Sequence, residues 1–295
     1  MKGNEVKPQT HPRISVKVSD CRTGRAVESA LLFDYAEFSG GEVHVRLHQS
    51  EGISGVVTIT ADLRNAADIM ALLAVTDAVR RAGSPFCPPH IELIMPYLPY
   101  ARQDRKCNGG ESLTLKVFCG IINAQNYSVV EVWDVHSEVG VALLDRCRHR
   151  TVTDIFDASS LLNPLTMTLV APDAGASKRV GQLAKHYHVD YVQCGKSRNV
   201  ADGSLSNPVV YLDPGTKSGR DFLIVDDICD GGRTFIALAA ELRKFTTGKV
   251  NLYVTHGIFS QGFDVFDGLI DNIFVANSFR NDLPNNVHNL RGFIK

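Results

Sequence analysis

Residues 222–235 read FLIVDDICDGGRTF: four apolar residues, two aspartates, a third acid, two glycines, an arginine and a threonine. The apolar run ahead of the helix-like FIALAAELRKF (235–245) predicts that a strand ends at FLIV and that residues 230–234 turn into a helix. A helix N-terminus gathers free N–H groups and the positive end of the dipole, so this turn suits an anion, with roughly 0.3–1 kcal/mol from the dipole. Asp226 and Asp227 cannot touch that anion, because like charges about 4 Å apart repel by roughly 1 to 4 kcal/mol. They need a neutral donor or a cation, and the vicinal hydroxyls of a ribose supply the first. The stretch therefore describes a sugar phosphate. The competing reading makes Asp226 and Asp227 solvated strand-end acids and Asp230 an ordinary helix cap.

The same alternation extends along the chain. VVTITA (56–61), IELIM (91–95), VVEVW (129–133), TLVA (168–171), VDYVQ (189–193), VVYL (209–212), VNLYVT (250–255) and LIDNIFV (269–275) are short apolar runs with helical stretches between many of them. This predicts an α/β protein with mainly parallel sheets covered on both faces. A helix is expected over 66–82, capped by Asn65, with Met70, Leu72, Leu73 and Val79 inward and Arg80 and Arg81 in its last turn. ISVKVS (14–19), ALLFDYAEF (30–38) and GEVHVRL (41–47) predict an antiparallel hairpin region instead. The pattern breaks over 148–164, so two domains of similar size are expected, 1–150 and 151–295.

Composition narrows the function classes. A net charge of -1 argues against a general nucleic-acid binder, so any polyanion site must be local. Seven scattered cysteines without a CxxC pair or zinc spacing fit a reduced, cytoplasmic compartment. No apolar run approaches ~20 residues, so no membrane contact is expected. Ligands of open α/β sheets sit beyond the carboxyl ends of strands. There the chain carries PYLPYARQDR (96–105), DVHSE (134–138), PDAGASKR (172–179), DDICDGGRT (226–234) and HGIFS (256–260).

VDDICDGGRT resembles the ribose-phosphate loop of the phosphoribosyltransferase fold. PYLPYARQDRK, WDVHSE and VAPDAGASKRV are similar to the ATP-binding, metal-binding and second-metal motifs of ribose-phosphate pyrophosphokinases. The resemblance implies two tandem, Rossmann-like phosphoribosyltransferase-type domains with an active site between them. It implies transfer of the diphosphoryl group of ATP to the anomeric hydroxyl of ribose 5-phosphate, with release of AMP. Carried over by position, Arg102, Gln103 and Arg105 would hold the triphosphate, His136 and Asp173 would be ligands of Mg²⁺ on the phosphates, and His136 would also border ATP. Asp226 and Asp227 would grip the ribose hydroxyls, while Asp230, Gly231, Gly232, Arg233 and Thr234 would surround the 5-phosphate. Lys196 and Arg198 lie where the family has a mobile loop closing over the reacting phosphates, and cations there would neutralise charge on the equatorial oxygens. Phe38 and Glu42 resemble the family's adenine contacts, commonly made across a subunit interface, which implies a homo-oligomer.

Four stretches depart from that pattern. Gly40 replaces an aspartate beside Phe38, NGGESLT (108–114) lacks the basic residues expected there, and LRGFIK stands where a longer helix is usual. Family-type control by ADP or phosphate is therefore not expected to transfer. Arg233 follows Gly232 where the family has D-T-G-G-T or close to it, which either compensates around the same 5-phosphate or admits a larger 5-substituent, as in ADP-ribose for nicotinamide-nucleotide salvage. An ordinary phosphoribosyltransferase would have no use for ARQDR with the D-x-H motif. A non-catalytic regulatory relative would have no need of His136, Lys196 and Arg198 together.

Overall fold

Apolar, β-branched runs set the sheets, and the computed structural model describes them over residues 11–20, 27–195, 209–210 and 219–294. The chain divides into two units, Met1–His149 and Arg150–Lys295. In the first, β1 (Ile14–Asp20) pairs antiparallel with β2 (Val27–Ala30), while β3 (Phe33–Glu37) and β4 (Val43–Leu47) form a separate antiparallel ribbon. The hairpin region read from the sequence is thus two ribbons. β5 (Val56–Ala61), helix α1 (Ala66–Arg81), β6 (His90–Ile94), α2 (Thr114–Ala124), β7 (Val129–Trp133), α3 (Glu138–Leu143) and β8 (Cys147–Arg150) follow. The sheet order is β2-β1-β5-β6-β7-β8, with β5, β6 and β7 parallel and β1 antiparallel to β5.

The second unit runs α4 (Val152–Ala158), β9 (Met167–Ala171), α5 (Ala174–Tyr187), β10 (Tyr191–Gly195), β11 (Val209–Val210), β12 (Asp221–Cys229), α6 (Arg233–Leu242), β13 (Val250–Gly257), β14 (Asn272–Ser278) and β15 (Val287–Asn289). Its sheet order is β11-β10-β9-β12-β13-β14-β15, parallel from β10 through β15. β13 is buried along its whole length, as a central parallel strand must be. Chain order reverses at β9: β10 lies on one side of it and β12 on the other. In such sheets the crevice beyond the strand ends at that reversal is where ligands bind.

Helix α1 starts as its sequence dictates, with the Asn65 side chain accepting from Asp68 N–H at 2.9 Å. Its buried stripe is Asp68, Ala71, Leu72, Val75, Thr76 and Val79, whereas the expected Met70 faces solvent on the opposite side of the helix. Asp68 is buried and answered on every side. Arg13 Nε donates to Oδ2 at 2.9 Å, Arg64 N–H donates to the same oxygen at 2.8 Å, and the buried His11 ring lies 3.4 Å from Oδ1. Burial pushes this carboxyl up, but the Arg13 and Arg64 contacts outweigh it and hold it below the ordinary 3.8. A lowered folded pKa gives stability that is complete above the unfolded value and lost as pH falls through the folded one. The resistance of the wild type to urea should therefore fall below about pH 3.8, and Arg13→Met should remove much of that slope. His11, lowered by burial, adds a loss of the same sign beginning nearer 6.5, which the variant should retain.

Candidate functional site

At the reversal of the second sheet, β12 does not stop at Val225. It continues through Cys229, because Asp226 pairs with Val254, Ile228 with His256 and Cys229 with Gly257. The two aspartates are therefore held in the last turns of a strand, and Asp227 is buried. Their cation comes from α5 across the reversal: Arg179 Nη1 lies 3.3 Å from Asp226 Oδ1 and 3.4 Å from Asp227 Oδ1. Asp227 N–H also donates to Asp226 Oδ1 at 2.9 Å. Burial, and then the neighbouring Asp227 charge, push the Asp226 carboxyl well above the ordinary carboxylate range, with Arg179 pulling the other way. Cys229 is buried, and burial raises its thiol far above the range of a nucleophile, so its place in the motif is packing.

The turn that follows is anchored from the β13 end. Ser260 Oγ donates to Asp230 Oδ1 at 2.6 Å, and Ile258 N–H donates to the Cys229 carbonyl at 2.8 Å. Asp230 is exposed and is not the helix cap; the cap residue of α6 is Gly232, with φ of 76°. A glycine cap brings no side-chain acceptor, so the first N–H groups of α6 gain no cap from it. A Cβ at Gly232 would stand 2.6 Å from the Phe266 ring, so both conformation and space require glycine. Gly231 flanks Gln261 and Ser260 at ordinary contact, Arg233 is exposed as the first residue of α6, and Thr234 is half-buried beside it.

In the first unit, the predicted residues lie beyond β6 and β7. Tyr100, with φ of 64°, turns the chain after β6, and its ring packs on Phe118 at 5.7 Å. Arg102, Gln103 and Arg105 stand exposed beyond that turn. Arg105 makes a two-point contact with Asp104, at 2.8 and 2.9 Å, which together with Ser137 holds the Asp104 carboxyl far below its usual range. The Arg105 end of this pair stands in water, where such contacts hold a side chain only weakly.

After β7, Asp134 is buried with φ of 34°, and His136 is exposed. His149 Nε2 accepts from Val135 N–H at 3.2 Å and so supports this loop. Left-handed backbone at non-glycine residues costs about 1–3 kcal/mol and concentrates at functional sites. Here it occurs after β6 (Tyr100), β7 (Asp134) and β13 (Phe259), and equally at Asn126, Arg146 and the α5 cap His188, which lie away from those strand ends. Phe38 and Glu42 close the β3–β4 ribbon, with Phe38 N–H donating to the Glu42 carbonyl at 2.9 Å and Gly41 at φ of 83°. Both side chains are exposed. Gly40 has an ordinary φ, so its place beside Phe38 is not required by the turn.

Residues 10–125 match the N-terminal domain of ribose phosphate pyrophosphokinase, and residues 153–263 match the phosphoribosyl transferase domain. The ribose-phosphate pyrophosphokinase of Mycoplasma pneumoniae is 31% identical over 260 residues, covering 84% of this chain and 76% of the relative. The chain belongs to the ribose-phosphate pyrophosphokinase family. The enzyme of that name from Shewanella oneidensis is 27% identical over 281 residues, 90% of this chain and 83% of its own. A crystal structure of phosphoribosylpyrophosphate synthetase from Mycobacterium smegmatis superposes with a TM-score of 0.70 at 20% identity, covering 88% of this chain and 85% of that one, a likeness of fold. Both units are thus phosphoribosyltransferase-type α/β layers, as this family's architecture requires.

Within the family frame, the expected metal ligands divide between the units, His136 in the first and Asp173 in the second. Asp173 caps α5, its Oδ1 accepting from Ala176 N–H at 3.1 Å. Among the described residues no group of three His, Cys, Asp or Glu side chains could hold a metal by itself. That donor set fits Mg²⁺ carried on phosphates, which takes only one or two protein ligands, and does not fit an all-protein cage. Lys196 and Arg198 lie outside the described residues. Arg179 was missed by motif reading. Its signal was a charged residue beside the apolar stripe Ala176, Val180 and Leu183, which demands a buried countercharge. No helix among the described residues is long and apolar enough to cross a membrane.

Proposed function

We propose that this chain transfers the diphosphoryl group of ATP to the anomeric hydroxyl of ribose 5-phosphate, giving phosphoribosyl pyrophosphate and AMP. The observation that carries this reading is the juxtaposition in the second unit: an acidic pair near the end of β12 and, five residues on, the glycine-capped N-terminus of α6. The pair accepts from vicinal hydroxyls and the helix N-terminus receives the 5-phosphate, so a ribose phosphate is oriented with its anomeric end fixed.

The anomeric oxygen attacks the β-phosphorus, the bond from that phosphorus to the α,β-bridging oxygen breaks, AMP leaves with the bridging oxygen, and the hydroxyl proton passes to solvent. Arg102, Gln103 and Arg105 hold the triphosphate, Phe38 stacks on adenine and Glu42 accepts from the base. Lys196 and Arg198 neutralise charge that grows on the equatorial oxygens. His136 and Asp173 would hold Mg²⁺ that arrives with the phosphates, where it screens their charge. A cytoplasmic homo-oligomer with domains at 1–150 and 151–295 belongs to the same reading.

A second acceptor is favoured by one residue. Arg233, exposed at the first position of α6, offers five donors toward a group larger than a monophosphate, such as the diphosphate of ADP-ribose. AMP release measured with each acceptor separates the two. Turnover on ribose 5-phosphate supports the first reading; turnover on ADP-ribose alone replaces it with the second.

A further inference from the structure

We propose that Arg179 is a positioning residue: a built-in cation that fixes the Asp226 and Asp227 carboxylates as acceptors for sugar hydroxyls and keeps divalent ions off them. The acceptor half of this inference rests on the reading above; the metal half rests on geometry alone. One nitrogen, Nη1, stands within 3.4 Å of an oxygen on each aspartate. The three side chains are only 11%, 17% and 6% exposed, for Arg179, Asp226 and Asp227, so water screens the contact little. Two adjacent carboxylates without a cation form the kind of oxygen-rich pair that hard divalent ions seek. With a guanidinium already between them, their net charge falls from two negative to one, and the oxygens facing it are taken.

Burial and mutual repulsion alone would protonate one member of such a pair, and Asp226 is indeed pushed up, with Arg179 as the opposing influence. A protonated carboxyl loses acceptor capacity. Arg179 opposes that rise and so favours the ionised form of the pair, which can receive the two O–H groups of a vicinal diol. The placement is also rigid. Arg179 sits six residues after Asp173, the cap of α5, so roughly 9 Å of helix separates the sugar-side cation from the carboxylate expected beside the phosphates. Tilting that helix moves both ends together.

The test uses the full-length chain with Arg179→Met, Arg179→Lys and the double variant Arg179→Met/Asp227→Asn. In the activity arm, Arg179→Met should raise KM for the ribose acceptor by about 10- to 100-fold, the range seen when groups that orient a ligand are removed, with KM for ATP nearly unchanged. Arg179→Lys should recover part of the loss, since one ammonium lacks the planar fork. In the binding arm, Mn²⁺ titration without nucleotide should reveal one more bound ion in Arg179→Met than in the wild type, and the added Asp227→Asn should abolish it. Unchanged Mn²⁺ stoichiometry together with parallel shifts in both KM values, or none, would overturn the assignment. Should Arg179→Met not fold, Arg179→Lys decides by the same split in KM. A wild type that uses no ribose acceptor would sink the functional reading, while the Mn²⁺ arm would still decide the role of Arg179.

Discussion

Lys196→Ala is expected to lower kcat for diphosphoryl transfer on the order of 10³-fold, by analogy with the cations that stabilise other phosphoryl-transfer transition states. The argument is one of charge placement. As the β-phosphorus passes from AMP to the sugar oxygen, negative charge spreads over its equatorial oxygens, and a cation in a closed, water-poor site stabilises that state far more than it does bound ATP. The loss should therefore appear equally in kcat and kcat/KM, with substrate affinity little changed. Steady-state AMP release at varied ATP and varied acceptor checks this. A variant that raises only KM would place Lys196 in substrate binding instead. Arg198→Ala should behave in the same way, since each single variant removes one of the two cations and leaves the other.

Gly232→Val is expected to destabilise the second unit by about 2–5 kcal/mol and to spoil the anion turn in whatever protein still folds. Two independent costs combine. A non-glycine residue in the left-handed region costs roughly 1–2 kcal/mol, and more when branched at Cβ. A Cβ 2.6 Å from the Phe266 ring, in a packed cluster with Phe259 and Phe263, forces an overpacking cost of about 1–3 kcal/mol. The backbone must shift, and with it the first N–H groups of α6. Urea unfolding should give a lower midpoint for the second unit, and KM for the acceptor should rise while KM for ATP holds. A Gly232→Val protein of wild-type stability would contradict the packing around Phe266.

The fold was legible where local chemistry decides it. Asn65 before an apolar, 3.6-residue pattern gave the start of α1, and continuous β-branched runs gave the central parallel strands. Edges were less legible because their residues answer to partners distant in sequence. FLIV reads as a strand that ends at Val225, since aspartates are poor strand formers. The pairing of Ile228 with His256 nevertheless extends β12 past both acids. Met70 reads as a core residue beside Leu72 and Leu73, yet at 100° per residue it lies on the face opposite the buried stripe of Asp68, Leu72, Val75 and Val79.

The candidate site divides in the same way. Asp226, Asp227 and the glycine turn could be placed from one stretch, because strand, turn and helix are contiguous there. Arg179 could not, because its contact to Asp226 spans 47 residues and depends on the reversal of strand order at β9. His149 and Ser260 support their loops from other elements, contacts that span 14 and 30 residues and that no local pattern marks.

The most direct test follows the phosphorus. Wild-type protein with Mg²⁺, ATP and ribose 5-phosphate is observed by ³¹P NMR through a full reaction. The account predicts AMP and a ribose carrying a diphosphoryl group at its anomeric oxygen, in equal amounts, with no ADP. Formation of ADP, or ATP left intact with both ribose 5-phosphate and ADP-ribose present in turn, would contradict it.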